Sequence, residues 1–301
     1  MDRLGFDGKV VVITGAGRGL GRSHALQFAE RGALVVVNDV GAGLHGELTA
    51  ESPASELVTS IKKQGGIAIA DFNDISEPQS AAALVHHAIT EFGRIDVLVN
   101  NAGILLDKSF PKMTNEDVER VMRVHFFGSF YVTQAAWPHM KEQGLGRVVM
   151  TTSVAGYLGN FGQANYGSAK AALIGLTKTL AIEGARAGIK VNAIAPGALT
   201  RMTEKLIGDL ASRMNPGLVT PVVVYLSHES CPVTGEVLIV GGGRVARLLV
   251  EQNRGAYFAD AMSAEKVAAA WGAITDPTQP LLIADVAEEL GLVGDMIKQE
   301  S

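Results

Sequence analysis

The run from Lys9 to Ile13 is apolar and β-branched, and it feeds directly into Thr14-Gly15-Ala16-Gly17-Arg18-Gly19-Leu20-Gly21. A helical pattern from Leu20 to Ala29 follows. A buried strand, a glycine-rich turn and a helix in that order leave few folds open, because the turn must reverse the chain within a few residues. Gly15 permits the tight turn, Gly19 removes a side chain that would block a pyrophosphate from the helix N-terminus, and Gly21 lets the helix pack closely on the sheet. A lone glycine-rich loop carries little weight, but one set between strand and helix at the start of an alternating chain carries much more.

The alternation continues. Strand-like runs are expected at residues 33–38, 67–72, 95–99, 147–151, 189–195 and 236–240, separated by helical patterns that include 114–143 and a helix around Tyr166 reaching about residue 187. This order predicts an α/β fold, a doubly wound parallel sheet of about seven strands covered on both faces. The second run ends at Asp39, eighteen residues past Gly21, close to the spacing expected for a carboxylate on an adenosine ribose. Asp74, after the third run, is within reach of an adenine edge, and the fourth run leads into Asn100-Asn101-Ala102-Gly103.

A second constellation lies downstream. Ser153 precedes Tyr166 by thirteen residues, and Lys170 follows Tyr166 by four. Residues four apart share a helix face, and an ammonium beside a phenol favours the tyrosinate. Moving a tyrosine from about 10 to neutrality takes roughly 4 kcal/mol. One cation at about 4 Å in a partly screened site supplies that much. The expectation is therefore a tyrosine acid/base activated by Lys170, with the Ser153 hydroxyl holding the reacting oxygen. On its own the Tyr–Lys spacing is common by chance; the ordered set of motifs gives it weight.

Composition narrows the classes further. Hydrophobic content of 47% with 19% charged residues fits a globular core. A net charge of −5 argues against a general nucleic-acid surface, and no apolar run has the length of a membrane span. Cys231 is the single cysteine, so no intrachain disulfide can form; it is expected to fill a core gap. The chain ends Lys298-Gln299-Glu300-Ser301, without a Ser-Lys-Leu address, and a cytoplasmic location is the default expectation. Residues 1–243 are expected to form the sheet domain. Residues 244–301 are expected as a helical extension packed on it or on a partner subunit, with helical patterns at 245–250, 264–271 and 283–290 and Trp271 as a packing anchor.

Thr-Gly-x-x-x-Gly-x-Gly, Asn-Asn-Ala-Gly and Ser…Tyr-x-x-x-Lys, in this order, resemble the short-chain dehydrogenase/reductase superfamily across residues 8–243. A narrower likeness joins it. Val-Val-Asn-Asp-Val-Gly with the glycine-rich insertion after it, Arg-Val-His-Phe-Phe-Gly-Ser-Phe and Gly-Asn-Phe-Gly-Gln-Ala-Asn-Tyr are similar to the (3R)-hydroxyacyl-CoA dehydrogenase domains of the multifunctional enzyme type 2 group, also called 17β-hydroxysteroid dehydrogenase type 4. The resemblance implies NAD as cofactor, a small-molecule acyl-CoA or steroid substrate, no metal, and a homodimer or homotetramer. It assigns catalysis to Ser153, Tyr166 and Lys170. It assigns the cofactor to Gly15, Arg18, Gly19, Leu20, Gly21, Asp39, Asp74, Asn101, Ala102, Gly103, Tyr166, Lys170, Pro196, Gly197 and Leu199.

The pattern slips in places. His125 stands where most of the superfamily has an asparagine that helps position the lysine's water, although the narrower group has histidine too; it is either a catalytic group or a core histidine bonded to backbone. Arg201, flanked by Thr200 and Thr203, occupies the slot of a phosphate-binding threonine, either as a phosphate ligand or as a solvated loop residue. Arg18 favours the 2′-phosphate of NADP, against Asp39. The leading reading is thus an NAD-dependent 3-hydroxyacyl-CoA dehydrogenase. Its alternatives are an NADPH-dependent 3-oxoacyl thioester reductase of fatty-acid synthesis and, less well supported, a non-catalytic dinucleotide sensor.

Overall fold

The structure is a computed structural model and describes residues 3–47, 52–198 and 213–299. An eight-stranded sheet forms its centre, in the order β3-β2-β1-β4-β5-β6-β7-β8. The strands are β1 (Val10–Thr14), β2 (Leu34–Asn38), β3 (Ile67–Asp71), β4 (Val97–Asn100), β5 (Gly146–Thr151), β6 (Ile189–Gly197), β7 (Val237–Gly241) and β8 (Arg244–Arg247). All neighbours pair in parallel except β7 and β8. Strand order reverses between β1 and β4, which opens a crevice at their carboxyl ends where open α/β sheets bind ligands. Val10 to Ile13 are fully buried, as a central strand covered on both faces requires.

The helices that build the crevice are α1 (Gly19–Glu30), α2 (Pro53–Lys63), α3 (Pro78–Phe92), α4 (Asn115–Met122), α5 (Gly128–Gln143), α6 (Ala155–Leu158) and α7 (Ala164–Gly184). Proline at the first position starts α2 and α3, where its missing N–H costs nothing. A reciprocal cap between Thr114 and Asp117 starts α4. The expected single helix over 114–143 is interrupted: Arg123–Phe127 forms a π-turn between α4 and α5. Such turns insert an extra residue and re-aim side chains, and this one carries His125.

The chain separates into two compact units, Met1–Arg247 and Leu248–Ser301. Residues 244–247 form a strand, where the sequence suggested a helical pattern from 245. Gly242 and Gly243 both have positive φ (57° and 83°), giving a two-glycine hairpin that folds β8 back on β7. The second unit contains a two-stranded antiparallel pair, Gln252–Asn253 with Pro280–Leu281, and helices Ala264–Ala269, Trp271–Ile274 and Val286–Gln299. Trp271 opens the four-residue helix Trp271–Ile274 and is exposed in the single chain.

Candidate active site

β1 ends at Thr14, and its side chain and carbonyl organise the crevice. The Thr14 hydroxyl accepts the Asn101 and Ala102 N–H groups at 3.0 and 3.1 Å. Asn101 Nδ2 donates to the Thr14 and Gly15 carbonyls at 3.0 and 2.9 Å, which locks the end of β4 to the glycine turn. The turn tolerates no larger residues at its key positions. A Cβ on Gly15 would lie 2.7 Å from Ala102 Cα, and one on Gly21 would lie 2.4 Å from the Gly15 carbonyl and 2.6 Å from Asn101 Nδ2. Gly21 thus serves the Asn101 clamp as much as helix–sheet packing. Gly15 and Gly19 have positive φ, 60° and 54°.

Helix α1 has no side-chain cap and no acidic residue in its first turn, so its leading N–H groups face the cleft without an internal partner of that kind. That is the local chemistry of an anion site. Asp39 follows β2 and is fixed from two sides: its Oδ2 accepts the Gly17 N–H at 2.9 Å and its Oδ1 accepts the Gly41 N–H at 2.8 Å. Asp74 accepts the Ser76 N–H at 2.9 Å and also lines the cleft.

The cleft has a volume of about 460 Å³. Of the residues singled out in the sequence, Gly15, Arg18, Gly19, Leu20, Asp39, Asp74, Asn101, Ala102, Gly103, His125, Tyr166, Lys170 and Pro196 line it. Gly21, Ser153 and Gly197 are not part of that lining. Leu199, Thr200, Arg201 and Thr203 lie outside the described residues. The lining also includes Val40, Ala42, Gly43, Leu44 and Gly46, which sequence reading did not assign. This glycine-rich insertion is held over the crevice by long-range bonds: Leu105 N–H to the Leu44 carbonyl (3.1 Å), His45 Nδ1 with the Leu105 carbonyl (2.7 Å), and Arg120 to the His45 carbonyl (2.9 Å). Its unusual glycine content was the available signal.

Around Tyr166 the expected groups converge. Lys170 Nζ lies 5.6 Å from the Tyr166 ring centre and donates to the Thr151 carbonyl. The Lys170 carbonyl accepts the Thr152 hydroxyl at 2.6 Å, tying α7 to the end of β5. The Ser153 hydroxyl accepts the Ala155 N–H at 3.2 Å and is close enough to Tyr166 to stabilise its anion. His125 packs edge-on against Tyr166 with ring centres 5.2 Å apart. Its Nε2 lies 2.8 Å from the Ile104 carbonyl and 3.1 Å from the Ile104 nitrogen, so one tautomer donates there and the other accepts. His125 Nδ1 is buried with no partner among the described residues. A Cβ on Gly103 would fall 2.4 Å from His125 Cε1, so glycine at 103 makes room for that ring.

The electrostatics add a factor that spacing does not encode. Burial pushes the Tyr166 phenol up; Ser153 offsets part of the rise, and the Asp107 carboxylate adds to it. Burial also lowers Lys170 from 10.5 to about 7. Burial thus works against the charged form of each group. His125 is held well below its usual range by burial, then by the nearby Lys170 charge, and so stays neutral.

Residues 9–210 match the family described as short chain dehydrogenase. Over 254 residues the chain is 50% identical to peroxisomal multifunctional enzyme type 2 of Mus musculus, covering 84% of this chain and 34% of that protein. It is 45% identical over 273 residues to a short-chain type dehydrogenase/reductase of Mycobacterium tuberculosis, covering 90% and 96% respectively. The structure of full-length peroxisomal multifunctional enzyme type 2 from Drosophila melanogaster superimposes with a TM-score of 0.83 at 39% identity, covering 98% of this chain and 50% of that one. The chain thus spans about a third to a half of these multifunctional enzymes.

Proposed function

The chain belongs to the short-chain dehydrogenase family, and from that premise we propose that it is an NAD-dependent dehydrogenase of 3-hydroxyacyl-CoA thioesters. The observation that carries the reaction is the convergence of Ser153, Tyr166 and Lys170 beside a glycine-loop cleft. Identity of 44–50% to proteins named multifunctional enzyme type 2 supports the substrate class. The family fold binds a nicotinamide dinucleotide. The residues present fit that group: an uncapped helix N-terminus, glycines whose Cβ atoms would fill the cradle, and a carboxylate at the adenosine end.

Gly15, Gly19 and the first turn of α1 would hold the pyrophosphate, Asp39 the adenosine ribose, and Lys170 the nicotinamide ribose. When bound, the nicotinamide supplies the hydride acceptor. Tyr166 takes the proton from the C3 hydroxyl, and the Ser153 hydroxyl donates to the oxygen left behind. Deprotonation of Tyr166 places a negative charge near the Lys170 amine and raises its affinity for a proton, so the two groups titrate as a pair. His125 holds Ile104 and packs on the Tyr166 ring, which fixes the phenol's direction. Exposed apolar side chains at Phe127, in the π-turn before α5, and at Ile182, in α7, are surfaces that a two-fold dimer would cover.

Initial rates with NAD and NADP against 3-hydroxyacyl-CoA esters of graded length, 17β-hydroxysteroids, and 3-oxoacyl thioesters in the reducing direction test this reading. NAD-linked oxidation of the acyl-CoA esters is expected. Exclusive NADPH-linked reduction of 3-oxoacyl carrier-protein thioesters would replace it with the biosynthetic assignment.

A further inference from the structure

Asn38, Asp39, Asn73, Asp74 and Ile75 line the cleft where β2 and β3 end. Asp71, the last residue of β3, is 2% exposed and is not part of that lining. Its carboxylate gathers four donors. Oδ1 accepts from Asn38 Nδ2 at 2.8 Å and from the Asn73 N–H at 3.0 Å. Oδ2 accepts from Asn73 Nδ2 at 2.9 Å and lies 2.8 Å from His87 Nδ1 on α3. Facing a carboxylate, that ring nitrogen carries the proton. The backbone joins in, because the Asp71 carbonyl accepts the Asp39 N–H at 3.0 Å.

Asn73 is fixed through every polar group it has. Besides the two bonds to Asp71, its carbonyl accepts from Asn38 Nδ2 at 2.9 Å and its Oδ1 accepts the Ser80 hydroxyl at 3.3 Å. Asp74 follows it directly and is tied on to the Ser76 N–H. Both carboxylates assigned to the adenosine end thus hang on Asp71, Asp39 through its N–H and Asp74 through Asn73. The reacting end is remote from this cluster. β3 stands four inter-strand spacings from β5, about 19 Å at roughly 4.8 Å each, and β5 ends at Thr151, the carbonyl partner of Lys170.

We propose that Asp71, with His87, is a positioning residue for the adenosine half of the dinucleotide: it sets the affinity for that half by fixing Asp39 and residues 73–75, and it leaves the nicotinamide half untouched. This rests on the dinucleotide reading given above. An ionised carboxylate suits the task because both its oxygens are acceptors only, whereas an amide of the same size turns one of them into a donor. In Asp71→Asn the two bonds to Oδ1 survive, but the introduced NH2 group meets Asn73 Nδ2, donor against donor. A buried donor without an acceptor is costly, so residues 73–75 move to relieve it and carry Asp74 with them.

The test measures binding to the cofactor-free full chain by calorimetry, with ADP-ribose and reduced nicotinamide mononucleotide as probes of the two halves. Asp71→Asn should weaken ADP-ribose about tenfold and leave the mononucleotide within about twofold. His87→Ala removes one donor from a partly exposed position and should weaken ADP-ribose by about threefold, again without the mononucleotide. Adding Asn73→Asp to Asp71→Asn exchanges donor and acceptor between the two side chains and should restore most of the lost affinity. Equal losses for both probes would mark a merely structural residue and overturn the proposal. Unchanged ADP-ribose affinity in Asp71→Asn, or a parent chain that binds no ADP-ribose, would overturn it too. Should Asp71→Asn not fold, His87→Ala and the double variant decide by the same ratio. NAD-linked turnover of 3-hydroxybutyryl-CoA by the parent tests the proposed function separately. Its absence would sink the substrate assignment, while the ratio of the two probes still decides the role of Asp71.

Discussion

Replacing Asp39 with alanine separates the job this carboxylate performs in its own chain from the one the proposed function gives it. Toward a cofactor, Asp39 stands where ribose hydroxyls would be accepted and where a 2′-phosphate would meet a like charge, a repulsion of roughly 1–4 kcal/mol in a partly screened site. Toward its own chain, it accepts the Gly17 and Gly41 N–H groups at 2.9 and 2.8 Å. Hydrogen bonds to a charged acceptor contribute about 1.5–3 kcal/mol each, and the partial exposure of this pair puts the sum nearer 2–3 kcal/mol. Gly17 belongs to the turn that would cradle either dinucleotide, so loosening it weakens both. The vanished repulsion helps NADP alone. Asp39→Ala should therefore lower kcat/KM for NAD by at least ~10-fold and leave NADP within about threefold of its starting value. The preference narrows by loss on the NAD side. Denaturant unfolding without cofactor should show about 2 kcal/mol less stability at unchanged m-value. A variant of normal stability with undiminished NAD efficiency would refute the claim that Asp39 holds the turn. An unchanged NAD/NADP ratio would refute its role at the ribose.

Three further outcomes are expected. Tyr166→Phe keeps the ring contact with His125 but removes the transferable proton, so turnover should fall at least ~10²-fold with cofactor binding retained; steady-state rates and cofactor fluorescence read the two separately. Because Lys170 is lowered to about 7 in the folded chain and returns to its ordinary value on unfolding, the unfolded state binds more protons between about pH 7 and 10. Stability should rise with pH across that window, by up to about 1.4 kcal/mol per unit, and Lys170→Met should flatten the slope in pH-dependent denaturation. Gly103→Ala should cost about 1–3 kcal/mol and most activity by driving a Cβ into His125. Adding His125→Asn, with its smaller side chain, should restore part of both, and a double variant no better than Gly103→Ala would contradict that packing account.

Much of the framework was legible because it is local. The β1 run, the glycine turn and α1 are contiguous, and the remaining strands announce themselves as short apolar runs between helical patterns. What escaped is set by contacts across long stretches of chain. The insertion at residues 40–47 lines the cleft only because Leu44 and His45 bond to Leu105 and Arg120 bonds back to His45. Nothing in the local pattern of 40–47 announces a partner sixty residues away. The π-turn at Arg123–Phe127 left no mark on a helical periodicity that continues on both sides of it. β8 was hidden in a segment whose apolar residues suit either structure, and the Gly242-Gly243 turn decided between them.

The Tyr166–Lys170 pair shows most clearly where reading by spacing runs out. Spacing predicts adjacency, and the structure has it. Adjacency alone would make the lysine a permanent cation and the tyrosine its beneficiary. Burial acts on both groups at once, lowering the amine and raising the phenol, so that neither charge is cheap alone. The charged pair becomes accessible only together, since each charge then offsets the other's desolvation. In the proposed reaction, proton transfer at Tyr166 would be coupled to the state of Lys170, which donates to the Thr151 carbonyl at the end of β5. A perturbation of that carbonyl contact should shift the pH dependence of turnover even though it touches neither the phenol nor a ligand. Depth in the protein, which no spacing encodes, acts on the amine and the phenol alike.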